Sequence, residues 1–155
     1  MNNQLLKTSA SLNSLLYEQD YYLWLENTVK LLREGNLSEL DTANLLAEIE
    51  AMSRNEKRAL TSNLLVILVH LLKYKYQPEK PSRSWRSSLL EHRRRLRDSL
   101  ADSPSLKPYF QEVFNLCYKD SRKQAAVETG LFLDTFPPAP PFTFDEVLNP
   151  DYLPD

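Results

Sequence analysis

Glycine, cysteine and histidine are scarce in this 155-residue chain, with two, one and two copies. Each scarcity excludes a class of chemistry. Two glycines cannot build a glycine-rich phosphate cradle or a dinucleotide fingerprint. One cysteine and two histidines cannot supply a zinc site of four cysteines, or of two cysteines with two histidines. Cys117 has no second cysteine to pair with, so no intrachain disulfide forms, which fits a reducing, cytoplasmic setting. Neither HExxH nor Glu-x-x-His occurs, and no serine stands in a G-x-S-x-G setting; the zincin, di-iron bundle and hydrolase-elbow motifs are therefore absent. No metal or cofactor is expected, and the balance leans away from an enzyme. Long apolar runs are missing too. "LLVILVHLL" (64–72) is the longest, far short of the ~20 residues that span a bilayer. The opening "MNNQLLKTSASLNS" lacks a basic region followed by an apolar run, so no signal peptide is expected.

What is present describes a globular chain, 42% apolar and 26% charged, with enough residues for a real core. The net charge is −2 but unevenly spread. Residues 1–53 carry three basic and eight acidic groups, and residues 98–155 carry four and ten. Between them, residues 73–97 carry nine basic and two acidic groups. Such a block faces either an external anion or the protein's own acidic flanks.

No stretch alternates apolar and polar residues cleanly, and both glycines stand where helices should stop, so the reading is all-α. Asp20 should cap a helix running to Glu34, with Tyr22, Leu25, Val29 and Leu32 as its apolar stripe and Tyr21 and Trp24 beside it. Asp41 should open a second helix reaching Tyr76, ~54 Å long, bent or broken near "SRNEKR" (53–58). Pro78 and Pro81 end it. Ser84 should cap a third helix to Ala101, with Trp85, Leu89, His92, Leu96 and Leu100 on one face. Ser105 should cap a fourth ending near Gly130, with Phe110, Val113 and Cys117 inward. Six of the ten prolines fall in the last 25 residues, among Phe132, Phe136, Phe142, Phe144, Leu148, Tyr152 and Leu153. Extended backbone wrapping the helices follows, with a Thr143–Glu146 capping box for one short turn. The expected organisation is an N-terminal tail (1–16), a bundle of about four main helices (17–130) and an extended C-terminal wrap (131–155) of the same domain.

Three constellations carry candidate chemistry. His70, inside "LVHLLKY", reads as a buried neutral histidine bonded to a carbonyl or carboxylate, or as a general base. A carboxylate from Asp20 or Glu48 would complete such a site only across helices, since Glu48 lies ~33 Å from His70 along one straight helix. Arg86 and His92 resemble the ribonuclease motif of the all-α HEPN superfamily, in which arginine binds phosphate and histidine assists the ribose hydroxyl. The third is the basic block. Lys75, Arg86, Arg93 and Arg97 are its candidate anion contacts, with Tyr74, Tyr76 or Trp85 able to stack on bases. Against an external anion, Glu91–Arg94 and Arg94–Asp98 have the spacing of internal helix pairs.

The motifs "YEQDYYLWLENTVKLLREGNLSELD", "EIEAM", "HLLKYKYQP", "SWRSSLLEHRRRL", "SPSL", "TFPPAPPFT" and "LNPDYLP" occur in that order. Their succession, over about residues 17–154, resembles the domain-of-unknown-function family twenty-nine, abundant in cyanobacteria and found in other bacteria. The resemblance implies a small cytoplasmic all-helical protein and supplies no catalytic residues. Its pattern falls here on Asp20, Trp24, Arg33, Asp41, Glu48, His70, Lys73, Gln77, Pro78, Trp85 and Arg93. Ala47–Glu48 replaces the paired glutamates common in the family, which counts against a carboxylate or metal centre. His92 stands where glutamine is common, which counts against the ribonuclease reading.

The expectation is a non-enzymatic interaction module using the 73–97 surface, with a protein partner or nucleic acid on it and no membrane. A nucleic-acid-binding or metal-independent RNA-cleaving protein is the alternative. On either reading, the chain's candidate functional or structural-polar positions are Asp20, Glu48, His70, Lys73, Trp85 and Arg93.

Overall fold

A computed structural model describes residues 9–77, 79 and 82–155, with side-chain surroundings from residue 12. Six α-helices are seen among them, and no strand: α1 (Ser9–Gln19), α2 (Tyr21–Arg33), α3 (Thr42–Tyr76), α4 (Arg83–Asp102), α5 (Lys107–Thr129) and α6 (Phe144–Leu148). The all-α reading therefore stands. No helix among the described residues is long and apolar enough to cross a membrane. The predicted turn at Pro78 and Pro81 lies outside the described residues. Helix α1 begins inside the segment expected to be a tail. The chain divides into two compact units, Met1–Arg54 and Asn55–Asp155. Helix α3 is continuous through "SRNEKR", where a bend or a break was expected, so no break occurs. That stretch holds neither glycine nor proline, so nothing interrupts its hydrogen-bond ladder.

In the N-terminal unit, Asp20 caps α2 by accepting from the Leu23 amide at 3.0 Å. Gly35 closes the helix at φ +69°, where a Cβ would be strained, and Asn36 N–H returns to the Leu31 carbonyl. The face that turns inward is not the expected one. Trp24 and Thr28 are buried, while Tyr22, Val29 and Leu32 are exposed and Leu25 is half-buried. The helix is rotated by about 100°, one residue's turn. The cause is the indole, which offers the largest area to bury and an N–H that must be satisfied. Its Nε1–H donates to Asp41 Oδ2 at 3.1 Å. Asp41 is itself buried, accepts from the Asn44 side chain at 2.7 Å, and caps α3 through the Asn44 amide. Tyr17 meets Trp24 edge-on and Tyr21 stacks on it.

In the C-terminal unit, α3 supplies Leu60, Leu64, Ile67, Leu68, Leu71 and Leu72, all fully buried. Each such side chain contributes about 1.5–3 kcal/mol of transfer free energy. Helix α4 adds Leu89 and Leu96, and α5 adds Phe110, Phe114, Cys117, Tyr118 and Ala125. Ser82, rather than Ser84, caps α4, accepting from the Trp85 amide. Instead of a Ser105 cap, Pro104–Leu106 forms a 3-10 turn leading into α5. Pro108 sits in the first turn of α5, where its missing N–H costs nothing. Gly130 ends α5 at φ +71°.

The proline-rich segment packs on this core. Phe136, Phe142 and Val147 are buried, and Phe144 meets Phe110 and Phe114 edge-on. The Thr143–Glu146 capping box is present and starts α6.

Candidate functional site

The basic block lies in the C-terminal unit, on the end of α3 and along α4. Lys73 is half-buried, and its Nζ sits 4.4 Å above the Trp85 ring centroid and 3.0 Å from Glu128 Oε2. Partial burial works against ionisation of Glu128, yet hydrogen bonds from Gln124 and Lys73 outweigh it and hold the carboxyl below its usual pKa. Lys73 and Trp85 are thus joined as a packed corner between α3, α4 and α5. Trp85 is half-buried beneath the ammonium, which leaves its ring a poor platform for a base.

Arg93 corrects an expectation. It is 1% exposed, so it does not meet an external anion. Its Nε–H donates to the Val147 carbonyl at 2.9 Å, Nη1 to Tyr152 at 2.8 Å and Nη2 to Glu146 at 3.0 Å. Residues 146 and 147 belong to the last turn of α6, whose carbonyls lack partners within the helix. The guanidinium fork satisfies them and pins the C-terminal segment to α4. Burial pulls its pKa down to about 10, so it remains charged near neutrality.

Arg94 pairs with Glu91 and Asp98 at 2.9 Å, and Arg95 with Glu91 at 2.8 Å. Hydrogen bonds from Arg94 and Arg95 hold the Glu91 carboxyl down at about 2. Four cations of the block, Lys73, Arg93, Arg94 and Arg95, are therefore committed internally. Lys75, Arg83, Arg86 and Arg97 are exposed and make no ion pair among the described residues.

The histidines are engaged inside the unit. His70 donates Nδ1–H to the Val66 carbonyl, one turn back, at 2.8 Å. His92 Nδ1 lies 2.8 Å from Asn63 Oδ1. The Asn63 amide nitrogen already donates to the Ala59 carbonyl, so Oδ1 accepts and His92 carries its proton on Nδ1. Burial first, then Arg95 and His70, push the His92 pKa down. Arg86 and His92, six residues apart, point about 120° from each other on α4. Arg86 faces Pro150 and Asp151, whereas His92 faces Asn63 on α3. The arginine–histidine ribonuclease arrangement is not formed.

Asp20 and Glu48 belong to the N-terminal unit and His70 to the other. Asp20 is occupied as a cap. Glu48 accepts from Tyr17 at 2.6 Å and Tyr21 at 2.9 Å. That hydrogen bond, together with partial burial, pushes the Tyr17 hydroxyl up to about 12. No group of three metal-ligating side chains occurs among the described residues.

One open feature of the C-terminal unit is a groove along the outer side of α4. Its larger part, about 740 Å3, lies among Leu90, Arg94, Arg97, Ala101, Leu148 and Pro150. A second concavity of about 290 Å3 continues it, shares Leu90 and Pro150, and reaches Arg86 and Leu153. The floor is apolar, with Leu90 59% exposed. Arg86 and Arg97 stand eleven residues apart, or three turns and ~16 Å, so they lie almost in line on α4. Asp151 is a carboxylate of the rim outside any ion pair among the described residues. Sequence reasoning found Arg86 and Arg97 but missed the floor, because Leu148, Pro150 and Leu153 arrive from the far end of the chain.

A family model described as "Domain of unknown function DUF29" matches residues 16–153. Among curated proteins and solved structures, none matches the chain.

Proposed function

The chain belongs to the DUF29 family, and from that premise and the groove along α4 we propose a non-enzymatic interaction module that docks a protein partner on its C-terminal unit. The observation that carries this reading is the apolar floor around exposed Leu90, bracketed by two guanidinium groups free of ion pairs among the described residues. The occupant is an amphipathic segment of about three helical turns. Apolar side chains meet Leu90, and a carboxylate near each end meets Arg86 and Arg97. A cytoplasmic setting belongs to this reading, on the lone buried Cys117. Nucleic acid is less well served, because Lys73, Arg93, Arg94 and Arg95 spend their donors within the fold.

The test places a photo-crosslinking amino acid at Leu90 in the full chain, in its native cells, with and without nuclease treatment. A nuclease-resistant protein adduct, lost when Arg86→Glu and Arg97→Glu are added, is the expected result. A nuclease-sensitive adduct, or an adduct indifferent to both arginines, refutes the protein-docking groove.

A further inference from the structure

The α2 stripe is a second surface, independent of the groove. Tyr22, Leu25, Val29 and Leu32 follow 3-4-3 spacing, the a/d pattern of a helix that packs lengthwise on another helix. Within the N-terminal unit this stripe faces out: Tyr22 is 70% exposed, and Val29 and Leu32 are close to half exposed. A shallow hollow of about 440 Å3 runs along it between Tyr22 and Glu34. Among its described residues the unit buries one large apolar side chain completely, Trp24, and leaves an ordered heptad stripe bare. Scattered surface apolars need no explanation, but a contiguous, periodic stripe marks a contact face.

The charges beside the stripe identify what covers it. Glu26 flanks its first half, and Lys30, Arg33 and Glu34 flank its second half, which keeps a net positive charge. When two α2 helices meet antiparallel about a two-fold axis near Asn27, Tyr22 lies opposite Leu32 and Leu25 opposite Val29, and the acidic half of one faces the basic half of the other, twice. The apolar residues meet one another, as an isologous interface requires. Opposed helix dipoles favour the same orientation. A parallel arrangement would instead place Glu26 beside Glu26 and Arg33 beside Arg33. We infer that the outer face of α2 is a self-association surface, occupied by α2 of a second copy of this chain in antiparallel orientation.

Sedimentation equilibrium of the full chain over a concentration series tests this. The wild-type chain is expected to form a dimer, and Val29→Glu with Leu32→Glu to raise the dimer dissociation constant at least about tenfold without loss of helical circular dichroism. Should that variant lose helicity, a charge pair on the exposed rim decides the matter. Glu26→Lys alone and Arg33→Glu alone each weaken the dimer, and combining them restores it. A wild-type chain that stays monomeric overturns the inference, whether the stripe is bare or held by a different protein. A dimer that survives the α2 substitutions with its helicity intact also overturns it, because its interface then lies elsewhere.

Discussion

His92 shows how one hydrogen bond fixes both a tautomer and a pH dependence. The neutral ring suits its half-buried place beside Asn63, and its pKa is lowered there, first by burial. Above the ordinary histidine value both folded and unfolded states hold it neutral. As pH falls below about 6.5 the unfolded chain takes up a proton that the folded chain resists, so stability falls until the depressed folded pKa is passed. His92→Gln keeps an N–H for Asn63 and removes the titration. Urea midpoints measured between about pH 7.5 and pH 5 should therefore drop less for the variant than for the wild type. At this scale the sequence was partly legible. The Asp20 and Thr143 caps and the glycine stops follow from local chemistry alone. The role of Arg93 does not, because its three partners lie 53 to 59 residues away. A signal existed nonetheless: residues 89, 93, 96 and 100 follow a 4-3-4 spacing, which places Arg93 among the inward leucines of α4.

Among the helices, α3, α4 and α5 were legible because their inward faces are strongly apolar and their ends are punctuated. Helix α1 was not. "SASLNSLLYEQ" carries neither an acidic first turn nor a basic last turn, so only packing defines it. The orientation of α2 was misread for a related reason. Periodicity locates an apolar stripe but does not say whether that stripe or a single tryptophan beside it is buried. The C-terminal segment is the element most dependent on remote polar contacts. Arg93 holds its end, while Arg122 Nε–H and the Tyr118 hydroxyl hold its start at the Phe136 and Pro137 carbonyls. Arg93→Lys replaces a planar fork with one ammonium and leaves carbonyls of α6 unmatched. It should cost about 2 kcal/mol in urea unfolding and speed limited proteolysis within residues 131–155. Unchanged proteolysis would show that the aromatic contacts suffice to hold the segment.

At the scale of the whole chain, the two units differ in what they bury. Among the described residues, the C-terminal unit has a cluster of seventeen buried apolar residues, and the N-terminal unit has Trp24. A small core predicts low local stability. The two tryptophans are placed to report it, Trp24 in one unit and Trp85 in the other. In Trp24→Phe and Trp85→Phe variants, each remaining indole reads one unit. The Trp24 signal should change at lower urea than the Trp85 signal, departing from a single two-state transition. Coincident transitions would mean that the units unfold as one. The groove along α4 was the least legible part of the chain, since it is made where residues 86–101 meet residues 148–153, and no short motif spans that separation.

The three-carbonyl grip of Arg93 also has a consequence for biosynthesis. During translation, α4 leaves the ribosome more than fifty residues ahead of the carbonyls that satisfy its guanidinium. Until those residues arrive, the inner face of α4 carries a charge with no mate, and closing that face over the core is opposed. Final closure of the C-terminal unit is therefore expected to follow the emergence of residues 146–152 rather than to precede it.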